Sequence, residues 1–130
     1  MEYTFDEVAE MLDEIAEEFP PVLFEHLNGG VILEEEAKED PLFPKGEMYF
    51  MGEFLWDGFL GRSINLYYGS FLASARNEDW SAETWRQELY DTLSHELTHH
   101  MESLANTHGL DDQDDADLLR YMEEFGITGK

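Results

Sequence analysis

The stretch from Ser81 to Asn106 restricts the fold more than any other part of the chain. At about 100° per residue, Trp85, Leu89, Tyr90, Leu93, Leu97, Met101 and Leu104 fall on one stripe. Glu88, His95, His99, Glu102 and Asn106 fall roughly opposite. The spacing predicts one long amphipathic helix whose apolar stripe is a core face. Ser81 suits its N-cap, and Glu83 near the start favours the helix dipole.

The remaining sequence has to supply partners for that stripe. Residues 4–19 read as a second amphipathic helix. Phe5, Val8, Leu12, Ile15 and Phe19 recur at helical spacing, Thr4 and Glu7 make a capping-box pattern, and Pro20-Pro21 ends the run. Asn28-Gly29-Gly30 is a turn signal before a short strand at Val31–Leu33. "EEEAKEDPLFPKG" is polar and broken by proline, which predicts a surface loop. Met48–Trp56 and Ser63–Tyr68 flank Asp57-Gly58 and read as a hairpin, which explains the glycines of "GEFLWDGFLG" better than a phosphate cradle does. Residues 69–80 read as a connection. After Gly109 the acidic "DDQDDAD" opens a last helix that stops at Gly126. Ala116 stands where a calcium loop of the EF-hand type needs glycine. The whole of 1–130 is expected to form a single domain.

Charge narrows the class of partner. Seven Lys and Arg against 31 Asp and Glu give a net charge of −24. Such a surface repels nucleic acid and anionic membranes, and it attracts cations or basic proteins. No nucleotide-binding glycine pattern is present. The chain has no cysteine, which removes thiolate metal sites and fits a reducing compartment. The first residues show neither a signal peptide nor a membrane span, so the expected location is the cytoplasm.

Chemistry concentrates in "LSHELTHHMESL", residues 93–104. His95 and His99 are one helical turn apart, about 6 Å between Cβ atoms. From that spacing two imidazoles can bind one zinc ion, Zn2+, at about 2.0–2.1 Å. Glu96 lies between the two stripes. In an H-E-x-x-H site this glutamate stays off the metal and acts as general base, taking a proton from the attacking water and passing it to the leaving amine. His100 falls on the core stripe and reads as a packed histidine with one hydrogen-bond partner. A catalytic zinc needs a third protein ligand. Glu102 is one turn beyond His99 and leans back towards the pair. The alternatives lie past it: His108, Asp111, Asp112, Asp114 or Asp115, with Asp112 next in order after Glu102. The competing reading of the whole stretch is a solvated helix face with incidental histidines.

The chain resembles the small zincin-like bacterial metallopeptidases, a minimal metalloprotease family. The resemblance runs through "FPPVLFEHLNGGVILEEEAK", "GRSINLYYGSF" and "LYDTLSHELTHHMESLA". It implies an α+β, zincin-like fold: a small mixed β-sheet packed with helices, the H-E-x-x-H helix across its face. It also implies zinc on His95 and His99, and Glu96 as general base. Many members continue H-E-x-x-H-H-F-G-x-x-D, the last Asp acting as third ligand. Here Met101, Glu102 and Ala105 stand at the Phe, Gly and Asp positions, and "GLDD" follows only at 109–112. Zincins commonly hold a peptide as an added strand on a sheet edge. Ser63–Tyr68 is the expected edge, and Tyr67 or Tyr68 is either an oxyanion donor or packed in the sheet.

Three functions follow. The first is a zinc-dependent metallopeptidase acting on a peptide or protein substrate. The second is a non-catalytic metal-binding module that keeps the helix. The third is an acidic protein-interaction module without metal.

Overall fold

The computed structural model describes residues 1–59 and 61–108. Helix α1 (Phe5–Glu17) forms as its spacing predicts. The Thr4 hydroxyl accepts from the Glu7 amide, and the Glu7 carboxylate accepts from the Thr4 amide. This reciprocal cap satisfies two amides that have no partner within the helix. A single 3₁₀ turn at Pro21–Phe24 leads to strand β1 (Gly30–Glu34). The strands continue as β2 (Lys38–Glu39), β3 (Tyr49–Phe50), β4 (Gly52–Asp57) and β5 (Gly61–Tyr67). Helices α2 (Tyr68–Glu78) and α3 (Ala82–His108) follow.

The main sheet is mixed, in the order β1-β5-β4. β1 runs parallel to β5, pairing Gly30 with Ser63 and Glu34 with Tyr67. β4 and β5 form the expected antiparallel hairpin. Arg62, Ile64 and Leu66 alternate with less buried neighbours, so one face of β5 is turned to the core. There α3 lays down its stripe: Trp85, Leu89, Leu93, Leu97, Met101 and Leu104 are all fully buried. Val8, Leu12 and Ile15 of α1 close the core from the other side.

Three expectations change. β5 is the central strand, not an edge, because β1 takes its second side through a crossover that covers β2 to β4. The 34–46 segment is not only loop, since β2 and β3 form a small antiparallel ladder that begins within it. Residues 69–78 are helix α2 rather than a connection. No side chain caps α2, but Phe71 and Ala75 are buried, so packing supplies what the local sequence lacks. Gly69 is required in its first turn. A Cβ there would lie 2.5 Å from the Ala37 amide nitrogen. The close approach lets the Gly69 amide reach the Glu36 carbonyl, and the Ser70 hydroxyl accepts from the Lys38 amide.

The zincin-like minimal metalloprotease fold implied by the resemblance is also corrected. The resemblance implies a metal-holding group on and beside the H-E-x-x-H helix. Among the described residues, no set of three His, Cys, Asp or Glu side chains is placed to hold a metal ion. The architecture found is a small α+β unit with a mixed sheet and three helices among the described residues. The last expected helix, and Asp112 with it, lies outside them. No described helix is long and apolar enough to cross a membrane.

Candidate active site

The site is built where β4 crosses α3. Helix α3 turns His95 and His99 outward and keeps Glu96 in, 6% exposed, because Glu96 sits at the border of the buried stripe. The two imidazole Nε2 atoms are 3.1 Å apart, and the rings meet edge to face with centroids 4.6 Å apart. One N–H···N hydrogen bond gives this separation. Two nitrogen ligands of one tetrahedral ion, at about 2.0–2.1 Å each, stand only a few tenths of an ångström further apart. The pair therefore fits a divalent cation as two of its ligands.

The third ligand is not supplied among the described residues. Glu102 Oε1 lies 3.4 Å from His99 Nδ1, the other nitrogen of that ring. The same oxygen is enclosed and accepts no hydrogen bond. His108 ends α3.

Strand β4 shapes the rest. A Cβ on Gly52 would meet Thr92 Cγ2 at 2.8 Å, the Asn65 carbonyl oxygen at 3.1 Å and Glu96 Cγ at 3.3 Å. Only glycine lets the strand come this close to the helix. The approach brings the Phe54 amide onto the Glu96 carboxylate as a donor. Burial pushes the pKa of Glu96 above the usual carboxylate range. His95, His99 and the Phe54 amide pull against the rise, and Glu53 adds to it. A carboxylate held nearer neutrality is suited to exchanging a proton.

Glu53 itself is a residue that the sequence pattern does not single out. It accepts from Lys38 Nζ and, at 2.6 Å, from the Tyr67 hydroxyl. Burial opposes its charge, but the bonds from Lys38 and Tyr67 bring its pKa below the usual range. Tyr67 is thereby committed to Glu53, and burial and that bond raise its own pKa. The Tyr68 hydroxyl is committed to the Tyr3 carbonyl at 2.6 Å, which makes it a packing residue. The one available signal for this cluster is Gly52, a glycine inside a strand pattern.

Two depressions of about 550 and 460 Å³ share Phe50, Gly52, His95 and Glu96. They form one groove along the edge of β4, with the histidine pair midway. Phe54, Glu102 and Ser103 line one end, and Tyr49, Asp91 and Thr92 the other.

No family model and no curated protein matches the chain. Among solved structures it is similar to a conserved hypothetical protein from Thermus thermophilus, at 37% identity and a TM-score of 0.67. The match covers 79% of this chain and 98% of that one. At this identity, over nearly all of the relative, the chain belongs to the same family as that conserved hypothetical protein.

Proposed function

We propose that this protein is a metal-dependent peptidase, with zinc as the metal that the donor chemistry favours. The observation that carries the reading is the convergence of the His95 and His99 Nε2 atoms beside the buried Glu96, midway along an open groove. His95 and His99 would hold the ion. When bound, a divalent ion supplies Lewis acidity to a carbonyl and lowers the pKa of a coordinated water. Glu96 accepts a proton at its carboxylate and returns it to the leaving amine, and the Phe54 amide fixes that carboxylate in place. Substrate lies as an added strand on the side of β4 away from β5, its one partner in the sheet among the described residues. The third ligand is Glu102, swung from His99 Nδ1, or Asp112. Comparing Glu102→Ala with Asp112→Ala assigns it to the variant that loses more zinc affinity.

The missing third donor among the described residues favours one other reading, a metal-binding module without turnover. Glu96→Gln separates the two. Peptidase action predicts that cleavage of an unstructured peptide falls by about 10²–10⁴-fold, the usual contribution of a general base, while zinc affinity is kept. Zinc binding with no Glu96-dependent cleavage by the wild type would leave the binding module.

A further inference from the structure

Strand β1 is an outer strand of the sheet, and the helical layer thins out over it. Val31 of β1 pairs with Ile64 of β5, so the two side chains point to the same face. Ile64 is fully buried, whereas Val31 is only partly covered. Beside Val31 a depression of about 430 Å³ opens against the end of α1 and the 3₁₀ turn. Ala16, Glu17, Phe19, Pro21 and Phe24 complete its lining among the described residues. Glu17 is the only charged or polar side chain of the six, so the depression fits an apolar surface.

Residues 109–130 lie outside the described structure, and their sequence carries a matching face. Leu118, Tyr121, Met122 and Phe125 follow the spacing i, i+3, i+4, i+7, which is one stripe of a helix. Asp117, Arg120, Glu123 and Glu124 fall off that stripe. A helix of about ten residues is not stable alone in water and depends on packing its apolar face. The chain can deliver it. His100 Nε2 bonds the carbonyl of Glu25, the residue after Phe24, and α3 ends at His108, about 12 Å further along its axis. Gly109 suits a helix stop, and residues 109–114 span about 20 Å when extended.

We propose that the depression beside β1 is the docking site of the chain's own 115–126 segment, which seats Leu118, Tyr121, Met122 and Phe125 there as a short helix. The helix covers Val31 and screens the outer edge of the sheet, one of the ways in which exposed strand edges are protected. A tethered segment is present at an effective concentration on the order of millimolar. A second copy has to approach against a net charge of −24 on each chain. The chain's own segment is therefore favoured over one from another molecule.

The chain has no cysteine, so two nitroxide labels can be placed on the full-length protein without background. One goes on Asp13→Cys, an exposed position of α1 one turn before Ala16 and Glu17. The other goes on Glu123→Cys, off the apolar stripe. Pulsed electron paramagnetic resonance is expected to read one narrow distance of about 20 Å, a helix diameter plus a turn. An undocked tail of about fifteen residues would instead give a spread on the order of 20 Å. Adding Leu118→Asn/Met122→Asn should abolish the narrow distance. Adding Arg120→Asn/Glu124→Asn, the same new residue on the other side of the helix, should keep it. A broad distribution in the labelled parent would overturn the proposal and leave the depression to an external ligand or partner. A narrow distance that survives Leu118→Asn/Met122→Asn, or is lost equally in both pairs, would also overturn it, because the stripe would not be what docks. Loss of the distance on dilution with excess unlabelled protein would overturn it in favour of exchange between copies.

Discussion

His100 donates its Nε2–H to the Glu25 carbonyl at 2.8 Å and leaves Nδ1 buried without a partner. That geometry is the neutral Nε2–H tautomer. Burial lowers its pKa to about 4. The Glu25 carbonyl resists the change, and Arg62 and His26 add to it. By linkage, a base whose pKa is lower when folded contributes stability above its unfolded value, about 6.5, and loses it as pH falls towards 4. Wild type is therefore expected to lose on the order of 3 kcal/mol over that window. A His100→Gln variant, less stable at pH 7, should show a flatter profile in urea melts. Identical slopes in the two proteins would remove this explanation. His99, its neighbour in sequence, is outward and half exposed. The helical angle alone separates the two, so the inward face of His100 and the outward face of His99 were legible in the sequence, whereas Glu96 reads there as lying between the two stripes and its burial was not legible. The partners of Glu53 were not, because Lys38, Glu53 and Tyr67 come from three different strands.

Strand β4 and helix α3 make the groove together, and Gly52 sets their separation. Gly52→Ala forces a methyl group against the Thr92 methyl and the Asn65 carbonyl. We expect a loss of about 1–3 kcal/mol, the usual cost of overpacking, because one obstacle is backbone. Chemical denaturation measures it, and an unchanged midpoint would mean that the strand lifts freely. The two amphipathic helices could be read from sequence because each repeats large apolar residues at helical spacing over several turns and starts at a local N-cap. Helix α2 could not. "YGSFLASARNE" is short, with glycine in its first turn and no side-chain N-cap. The hairpin was legible from Asp57-Gly58. The place of β5 at the centre of the sheet was not, because the parallel pairing with β1 joins residues more than 30 positions apart.

The net charge of −24 is spread over a molecule whose exposed large hydrophobics, among the described residues, fall mostly within 42–59 of the sequence. Like charges repel across such a surface and keep copies apart. The same field draws cations towards the groove, where two histidines and four carboxylates line the walls: Glu53, Asp91, Glu96 and Glu102. Burial, charge and glycine placement thus all point to the crossing of β4 and α3. The central claim concerns that crossing: its paired Nε2 atoms hold a metal ion. Zinc stoichiometry on purified protein, by elemental analysis after dialysis against micromolar zinc, tests it most directly. We expect about one zinc per chain, lost in His99→Ala and kept in His26→Asn. Absence of zinc from the wild type, or retention of it in His99→Ala, would contradict the claim.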